Sequence, residues 1–220
     1  MKNLKIKDLK KDTSYIQANI ANSYIFFDKT DEITGLFSTP TNKEDIRIDI
    51  NHINKDILFS FSKKEEENQA KQLRINNQKI WMAFSSGIKS DGCINIFKEK
   101  VGIISPTLSI KEFSGISTRT IFYYEIDGQE EEKEIFGKYI KIKNIDGFNL
   151  KFNLDIEGGF KNTMSIAVAK NPSVSDKNLL LIDCDLAYNS SVKIKDLESK
   201  LKALSDYTYQ ESGMLSIINS

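Results

Sequence analysis

The amino-acid sequence predicts an α+β fold, mainly an antiparallel β meander with a C-terminal amphipathic helix packed on the sheet. Between residues 46 and 188, apolar and polar side chains alternate in many short segments, which is typical of half-buried strands. Turn-forming pairs separate these segments, at Asp91-Gly92, Asp127-Gly128, Asp146-Gly147 and Gly158-Gly159. The last segment has helical spacing instead, with an apolar stripe of Ile194, Leu197, Leu201 and Leu204.

The chain is long enough, at 220 residues with 40% hydrophobic content, to build one sizeable core or two smaller cores that share a sheet. We therefore predict a single α+β domain spanning residues 1–220. The alternative is a subdivision, in which residues 1–110 form N-terminal strands with a helix and residues 111–220 form the meander with its closing helix.

The N-terminal residues 1–45 are compatible with more than one structure. The segment 13–24 fits a short helix or a strand equally well, because its apolar residues satisfy both periods. The apolar run Tyr24–Phe27 predicts a buried strand, and residues 35–42 predict a loop around Pro40.

The next stretch predicts strands separated by one charged segment. Isoleucines alternate with polar residues over residues 46–50, so we expect a half-buried strand that turns into a partner strand over residues 57–61. Residues 63–72 are nearly free of apolar side chains and predict either a solvated helix or a loose loop. Further strands are expected at residues 80–84, 94–97 and 101–104.

One hairpin in the second half has a register that can be derived. A three-residue loop, Glu157–Gly159, would bring the apolar residues of both arms onto one face, whereas a two-residue Gly-Gly turn would mix apolar and polar residues on each face. Gly159 supplies the residue with positive φ that such a loop requires at its end. The resulting pairs are Ile156 with Phe160, Phe152 with Met164, and Leu150 with Ile166.

The same argument predicts a second hairpin upstream. Its loop, Ile145–Gly147, would oppose residues 140–142 to residues 150–152. Long alternating segments over residues 116–126 and 179–188 predict two more strands, the second of which precedes the C-terminal helix.

Charge and composition limit the partners. The 31 basic and 31 acidic side chains cancel, which removes the long-range field that a phosphate backbone or an anionic membrane would attract. Only Arg47, Arg74 and Arg119 are arginine, the residue that best matches phosphate and guanine, although an AT-rich genome explains the same lysine bias. We therefore do not expect nucleic acid as a partner.

The sequence shows neither a secretory signal nor a membrane segment. Residues 1–12 alternate lysines with single apolar residues, and no run approaches the roughly 18–20 apolar residues of a membrane span. Cys93 and Cys184 lie within apolar strand patterns, which predicts buried free thiols in a reducing cytoplasm. We therefore expect a cytoplasmic protein that does not associate with a membrane.

The sharpest candidate for chemistry is the Asp183-Cys184-Asp185 sequence in the last strand. Carboxylates two residues apart in a strand project from one face, roughly 7 Å apart, where a Mg²⁺ or Mn²⁺ ion could bridge them. The pair would then serve a metal-dependent phosphoester hydrolase. The alternation favours a plainer explanation, in which the apolar residues between them fill the core and both aspartates face solvent.

No other set of residues predicts catalysis. His52 is the only histidine, and Ser85-Ser86-Gly87 lacks the glycine pattern of a nucleophile elbow. The acidic segments Glu65–Glu67 and Glu130–Glu134 lack the spacing of a calcium loop and predict solvated turns. The sequence therefore favours a non-enzymatic protein without a cofactor, unless Asp183 and Asp185 hold Mg²⁺ or Mn²⁺.

Aromatic residues indicate a binding surface on the second half of the sheet. Tyr123 and Tyr139 alternate with the expected core residues of their strands, so their side chains should point away from the core. Tyr188 and Arg119 belong to the same part of the sheet. Exposed tyrosines suit protein interfaces, where they bury a large area at a low entropic cost. These four residues are candidate interface residues for a protein partner or for self-association. The alternative is that a helix from the N-terminal or the charged segment covers this face.

The layout of residues 116–220 resembles a sporadically distributed family of uncharacterised prokaryotic proteins. The resemblance is carried by Arg119 with Tyr123 and Tyr124, by the late strand Leu180–Asp185, and by the terminal helix with spaced leucines. The family's Arg-Tyr-x-Asn pattern is not found, since Tyr124-Glu125-Ile126 stands in its place. The family has no established activity, so the resemblance implies the fold layout alone.

Taken together, these features predict a non-enzymatic interaction or assembly subunit, an accessory component of a bacterial or phage multiprotein system. Two alternatives stay open. One is the metal-dependent phosphoester hydrolase that uses Asp183 and Asp185, and the other is a small-ligand sensor whose two sheets enclose a pocket.

Overall fold

The computed structural model describes residues 8–21, 25–38, 45–53, 56–62, 70–126, 148–170 and 178–209. Within these ranges the dominant element is a nine-stranded antiparallel sheet on which the C-terminal helix packs. The predicted fold class is therefore confirmed.

The strands and helices follow each other with short connections in much of the described chain. The strands are β1 (Lys10–Asn19), β2 (Asp45–Asn51), β3 (Asp56–Ser62), β4 (Ala70–Asn76), β5 (Lys79–Phe84), β6 (Glu112–Phe113), β7 (Gly115–Ile126), β8 (Phe148–Ile156), β9 (Phe160–Lys170), β10 (Asn178–Tyr188) and β11 (Val192–Lys193). The helices are α1 (Ile25–Asp28), α2 (Thr30–Ser38), α3 (Ser90–Thr107) and α4 (Leu197–Tyr209), the last preceded by a 3-10 turn at Ile194–Asp196.

The strand order in the large sheet is β2-β3-β4-β5-β1-β7-β10-β9-β8, while β6 and β11 form a separate two-stranded ladder. Every neighbouring pair in the large sheet is antiparallel. The central pair, β1 and β7, joins the two halves of the chain, so the sheet runs without a break across the proposed boundary after residue 110. On either side of this pair the strands have the same arrangement. The first strand of each half of the sheet lies next to the last strand of that half, followed by the second-last and the third-last, as β1-β5-β4-β3 on one side and β7-β10-β9-β8 on the other. The strands β5 and β10 are each followed by a long helix.

The hydrophobic core lies between the helices and one face of the sheet. Alternate residues of the central strands point to this face, because successive side chains of a strand project to opposite sides. Apolar residues of α2, α3 and α4 pack against them. The fully buried contributors from the helices include Ile33, Phe97, Ile104, Leu197 and Leu201, and those from the strands include Ala18, Phe59, Leu73, Met82, Leu180 and Ile182.

The hairpin between β8 and β9 has the predicted register. Ile156 is paired with Phe160, Phe152 with Met164, and Leu150 with Ile166. The loop Glu157–Gly159 has the predicted three residues, and both of its glycines have a φ of 81°. The predicted hairpin around Ile145–Gly147 lies outside the described residues, as do Asp127-Gly128 and the two acidic segments.

Two predicted strands, at residues 94–97 and 101–104, are wrong, since both belong to α3. The buried residues Ile94, Phe97, Val101 and Ile104 are spaced by three, four and three positions, which places them on one side of a helix. The Asp91-Gly92 pair, predicted as a turn between strands, accordingly lies in the first helical turn.

Of the segment 13–24, for which helix and strand both fit the sequence, residues 13–19 belong to the strand β1. The first half differs from the sequence-based expectation in three further places. The predicted strand Tyr24–Phe27 is wrong over its described residues, because Ile25–Asp28 is helical. Within this helix Phe26 is buried, whereas Ile25 and Phe27 are exposed. Residues 35–38, predicted as a loop, complete α2, whose buried residues Ile33 and Phe37 are four positions apart. Residues 70–72 of the charged segment begin β4.

Candidate functional site

The face of the sheet opposite to α2, α3 and α4 is the candidate functional surface, which we call the open face. The side chains that reach this face from the four central strands, β5, β1, β7 and β10, alternate along each strand with the residues that point into the core. Among the described residues the helices pack on the other side, and this face carries mostly polar and charged side chains.

A pocket of about 520 Å³ lies in the centre of the open face. Residues from β1, β4, β5, β7 and β10 line it, so neighbouring strands from both halves of the chain build it together. Its lining residues include Thr13, Tyr15, Gln17, Trp81, Arg119 and Asp185.

An aromatic pair forms one wall of the pocket. The rings of Tyr15 and Trp81 are stacked, with centroids 5.3 Å apart and planes inclined by 23°. The two residues are diagonal neighbours, because Tyr15 is paired with Ala83 and Trp81 with Gln17. The small side chain of Ala83 leaves the space that the two rings share.

Arg119 occupies the centre of the site in a defined orientation. Its Nε donates to Oδ1 of Asp183 at 2.8 Å and its Nη2 donates to Oδ2 at 2.6 Å, which is a bidentate ion pair. The guanidinium carbon also lies 5.8 Å from the ring centroid of Tyr15. Hydrogen bonding to Asp183 raises the pKa of Arg119, so the guanidinium is charged at any physiological pH.

Asp185 is in a different situation from Asp183, although both belong to the same face of β10. It is paired directly with Arg119 across the strands and is half-buried. Burial raises the pKa of Asp185 above its ordinary value, while the positive charge of Arg119 opposes this effect. Within the described ranges its carboxylate has neither a hydrogen bond nor an ion pair, which leaves it as a free acceptor at the pocket wall.

The two aspartates therefore face away from the core, as the alternation of the strand favours. The residues that alternate with the aspartates point into the core and are at most 1% exposed, namely Leu180, Ile182 and Cys184. Both oxygens of Asp183 already accept hydrogen bonds from Arg119, and the positive charge of that guanidinium would oppose a Mg²⁺ ion bound between the two aspartates. In the part of the chain that the structure describes, no group of three histidine, cysteine, aspartate or glutamate side chains could hold a metal ion.

The three candidate interface residues that the structure describes do not form one surface. Tyr123 and Arg119 lie on the open face, where Nζ of Lys10 is 5.7 Å from the Tyr123 ring centroid. Tyr188 lies on the core side of β10, under α4. Nζ of Lys200 is 4.6 Å from its ring centroid. Tyr139 lies outside the described residues.

The remaining candidates lie away from the pocket. His52 is exposed in the turn after β2. Cys93 and Cys184 are buried free thiols, as predicted, and lie on α3 and on the core side of β10. Burial raises the pKa of Cys93 to about 11 and that of Cys184 to about 12, so neither thiol is a nucleophile at neutral pH.

Sequence reasoning missed the aromatic half of the site. Tyr15 and Gln17 alternate with the buried Ile16 and Ala18, so a strand assignment for this segment would have placed both on the open face. Trp81 likewise alternates with Ile80 and Met82 in the correctly predicted strand β5. That signal was present, but nothing local in the sequence brings β1 and β5 together.

Comparison with known proteins leaves the function to be argued from this geometry. No protein-family model matches the sequence, and no curated protein matches it significantly. Among the described helices, none has both the length and the apolar character needed to cross a lipid bilayer.

Proposed function

We propose that this protein is a non-enzymatic binding protein that recognises a protein partner through the open face of its sheet. The observation that carries this proposal is the meeting of Trp81, Tyr15 and Arg119 around one pocket. These three residue types most often supply the binding energy of protein interfaces, because they bury a large area with defined geometry.

The site is also ordered before any partner arrives. The bidentate contact with Asp183 fixes the Arg119 side chain, and stacking fixes the rings of Tyr15 and Trp81. Immobilising a flexible side chain on binding costs roughly 0.5–1.5 kcal/mol. A cluster that is already ordered avoids much of this cost, which favours a binding role over that of a solvated surface.

The surrounding face has the composition of an interface rim. The polar residues Gln17 and Ser117 line the pocket. Thr163 on β9 lies next to Asp185, and all three polar residues are only partly exposed. Such side chains can hydrogen-bond to a partner while they exclude water from the central anchors.

Site-specific photo-crosslinking in the native host tests the proposal. A photoreactive phenylalanine analogue at Ser117, inside the pocket, is expected to capture a discrete protein adduct, whereas the same analogue at Asn95, on the exposed side of α3, is not. The adduct should disappear when Trp81→Ala is added to the Ser117 variant. Equal adducts from both positions, or an adduct indifferent to Trp81→Ala in a folded variant, would contradict the proposal.

A small-ligand sensor is the second candidate function, and the pocket volume favours it. About 520 Å³ falls within the range of roughly 300–1,000 Å³ for small-molecule sites. The pocket lies on one sheet and not between two, which differs from the sequence-based expectation. A ligand-dependent rise in melting temperature that Trp81→Ala abolishes, without any protein adduct at Ser117, would favour this alternative.

A further inference from the structure

The two aspartates of the open face differ in what they can still bind. Both oxygens of Asp183 accept hydrogen bonds from Arg119. Asp185 lines the pocket and, in the described part of the chain, accepts none. A carboxylate that is partly withdrawn from water without a donor carries an unfavourable desolvation energy, and a ligand with N–H donors would relieve it.

At the β10 end of the pocket, Asp185 carries a negative charge with which no described residue forms an ion pair. The positive charge of its neighbour Arg119 is already neutralised by the bidentate ion pair with Asp183. Lys71 also lines the pocket, but its strand β4 is four strands away from β10, a backbone separation of about 19 Å at the usual strand spacing. Lys151 is two strands away on β8 and forms no ion pair with Asp185 among the described residues, although its positive charge acts to lower the pKa of Asp185. Among the described residues, Asp185 therefore has no lysine at ion-pair distance.

The aromatic wall favours the same kind of ligand. The faces of tyrosine and tryptophan rings carry a negative quadrupole that attracts cations. The guanidinium carbon of Arg119 lies 5.8 Å from the Tyr15 ring centroid, which is a cation–π contact of this kind within the protein. The side-chain amide of Gln17 donates to Asn19, so its carbonyl oxygen is left to accept a hydrogen bond at the pocket wall.

From this juxtaposition we infer that the pocket takes a lysine or arginine side chain of the protein partner, with Asp185 as its counter-ion and Trp81 and Tyr15 along its aliphatic stem. The inference rests on the proposed function, since it names the chemistry of the partner at the same site. Long basic side chains suit a pocket of this kind because their methylene groups pack on aromatic rings while the charged end reaches a carboxylate.

Trp81 gives the experiment a direct signal, because it is the only tryptophan in the chain. The indole N–H resonance of ¹⁵N-labelled protein is followed by NMR during titration with N-acetyl-lysine methylamide or N-acetyl-arginine methylamide. Both probes should shift it saturably, with dissociation constants in the range of roughly 1–10 mM that suits a single anchor group. The norleucine analogue, which keeps the stem without the charge, and the glutamate analogue should produce no saturable shift.

A pair of matched variants assigns the effect to Asp185. In Asp185→Asn, binding of the two cationic probes should weaken by about tenfold or more, which corresponds to about 1.4 kcal/mol. Asp155→Asn removes one carboxylate from an exposed position of β8 on the same face and should leave binding unchanged. The unliganded Trp81 resonance reports whether each variant keeps its fold.

Three outcomes would overturn the inference: no shift with cationic probes, equal binding of the norleucine or glutamate analogue, or full binding by Asp185→Asn. The crosslinking experiment separates this failure from failure of the proposed function. A persistent Ser117 adduct without binding of the cationic probes would leave a protein partner of different chemistry, whereas loss of the adduct would remove the partner itself.

Discussion

Replacing Gly159 by alanine is expected to destabilise the protein by about 1 kcal/mol. Its φ of 81° is a left-handed conformation that costs an L-residue with a β-carbon roughly 1–2 kcal/mol. The added methyl would lie 3.6 Å from Cε2 of Tyr188, an ordinary contact, so crowding adds little. Alanine also restricts the unfolded chain, which offsets about 0.4–1 kcal/mol of the strain. Gly159→Asn should cost less, because asparagine tolerates positive φ better.

The same substitution at Gly102 should have the opposite sign. This glycine is exposed inside α3, and a β-carbon there would meet no atom within 4 Å. Alanine is more stable than glycine in a helix interior by about 0.5–1 kcal/mol. Gly102→Ala therefore controls for the loss of backbone freedom that both variants share.

Thermal unfolding followed by circular dichroism and by Trp81 fluorescence measures both effects. For a chain of this size, 1 kcal/mol shifts the melting temperature by about 2–4 °C, downward for Gly159→Ala and upward for Gly102→Ala. A Gly159→Ala variant as stable as the parent protein would refute the left-handed loop between β8 and β9, and a destabilised Gly102→Ala would refute the assignment of its environment in α3.

Four further predictions concern the core and the open face. Phe97→Ala removes a fully buried ring of α3 and should cost about 3–5 kcal/mol, measured as the loss in urea midpoint. Asp183→Asn should lower stability at pH 7 by about 1 kcal/mol through loss of the ion pair with Arg119. Asp185→Asn should raise stability there, because a raised folded pKa means that ionisation disfavours the fold. This gain should shrink as the pH falls through the raised pKa of folded Asp185 and vanish below the unfolded value of about 3.9. An equal gain at pH 3 would contradict it. Cys93 and Cys184 should not react with a thiol reagent at pH 8 until the protein unfolds, and rapid labelling of the native state would show that they are accessible.

The parts of the fold that local patterns determine were predictable, and the β8–β9 hairpin shows why. Its register follows from a single requirement, that the apolar residues of both arms share one face, and the glycines of the loop agree with it. The apolar residues of α3 satisfied a helical period, but short apolar runs such as Ile94–Phe97 also resemble buried strands. Where the helical period and the strand pattern both fit, packing against the sheet decides the structure. This packing cannot be read from the sequence pattern.

The site was predictable only where one strand contains it. Asp183 and Asp185 share β10, so their common face follows from strand alternation alone. Tyr15, Trp81 and Arg119 come from three strands whose order depends on the insertion of β1 between β5 and β7. The pairing of β1 with β7 joins residues about a hundred positions apart, and no local signal specifies such a contact.

The contrast between Asp183 and Asp185 is the strongest physical reason to assign a binding role to the open face. The two identical side chains lie two residues apart on one strand. They differ because Arg119 donates both hydrogen bonds of its bidentate ion pair to Asp183 and none to Asp185. The second keeps a partly desolvated charge in a pocket that two aromatic rings also line, and burial raises its pKa. Local choices that work against stability are expected where a protein binds something, since the ligand supplies the missing contacts. The opposite stability effects of Asp183→Asn and Asp185→Asn therefore test the functional argument as well as the electrostatics, because equal losses in both variants would make Asp185 an ordinary structural residue.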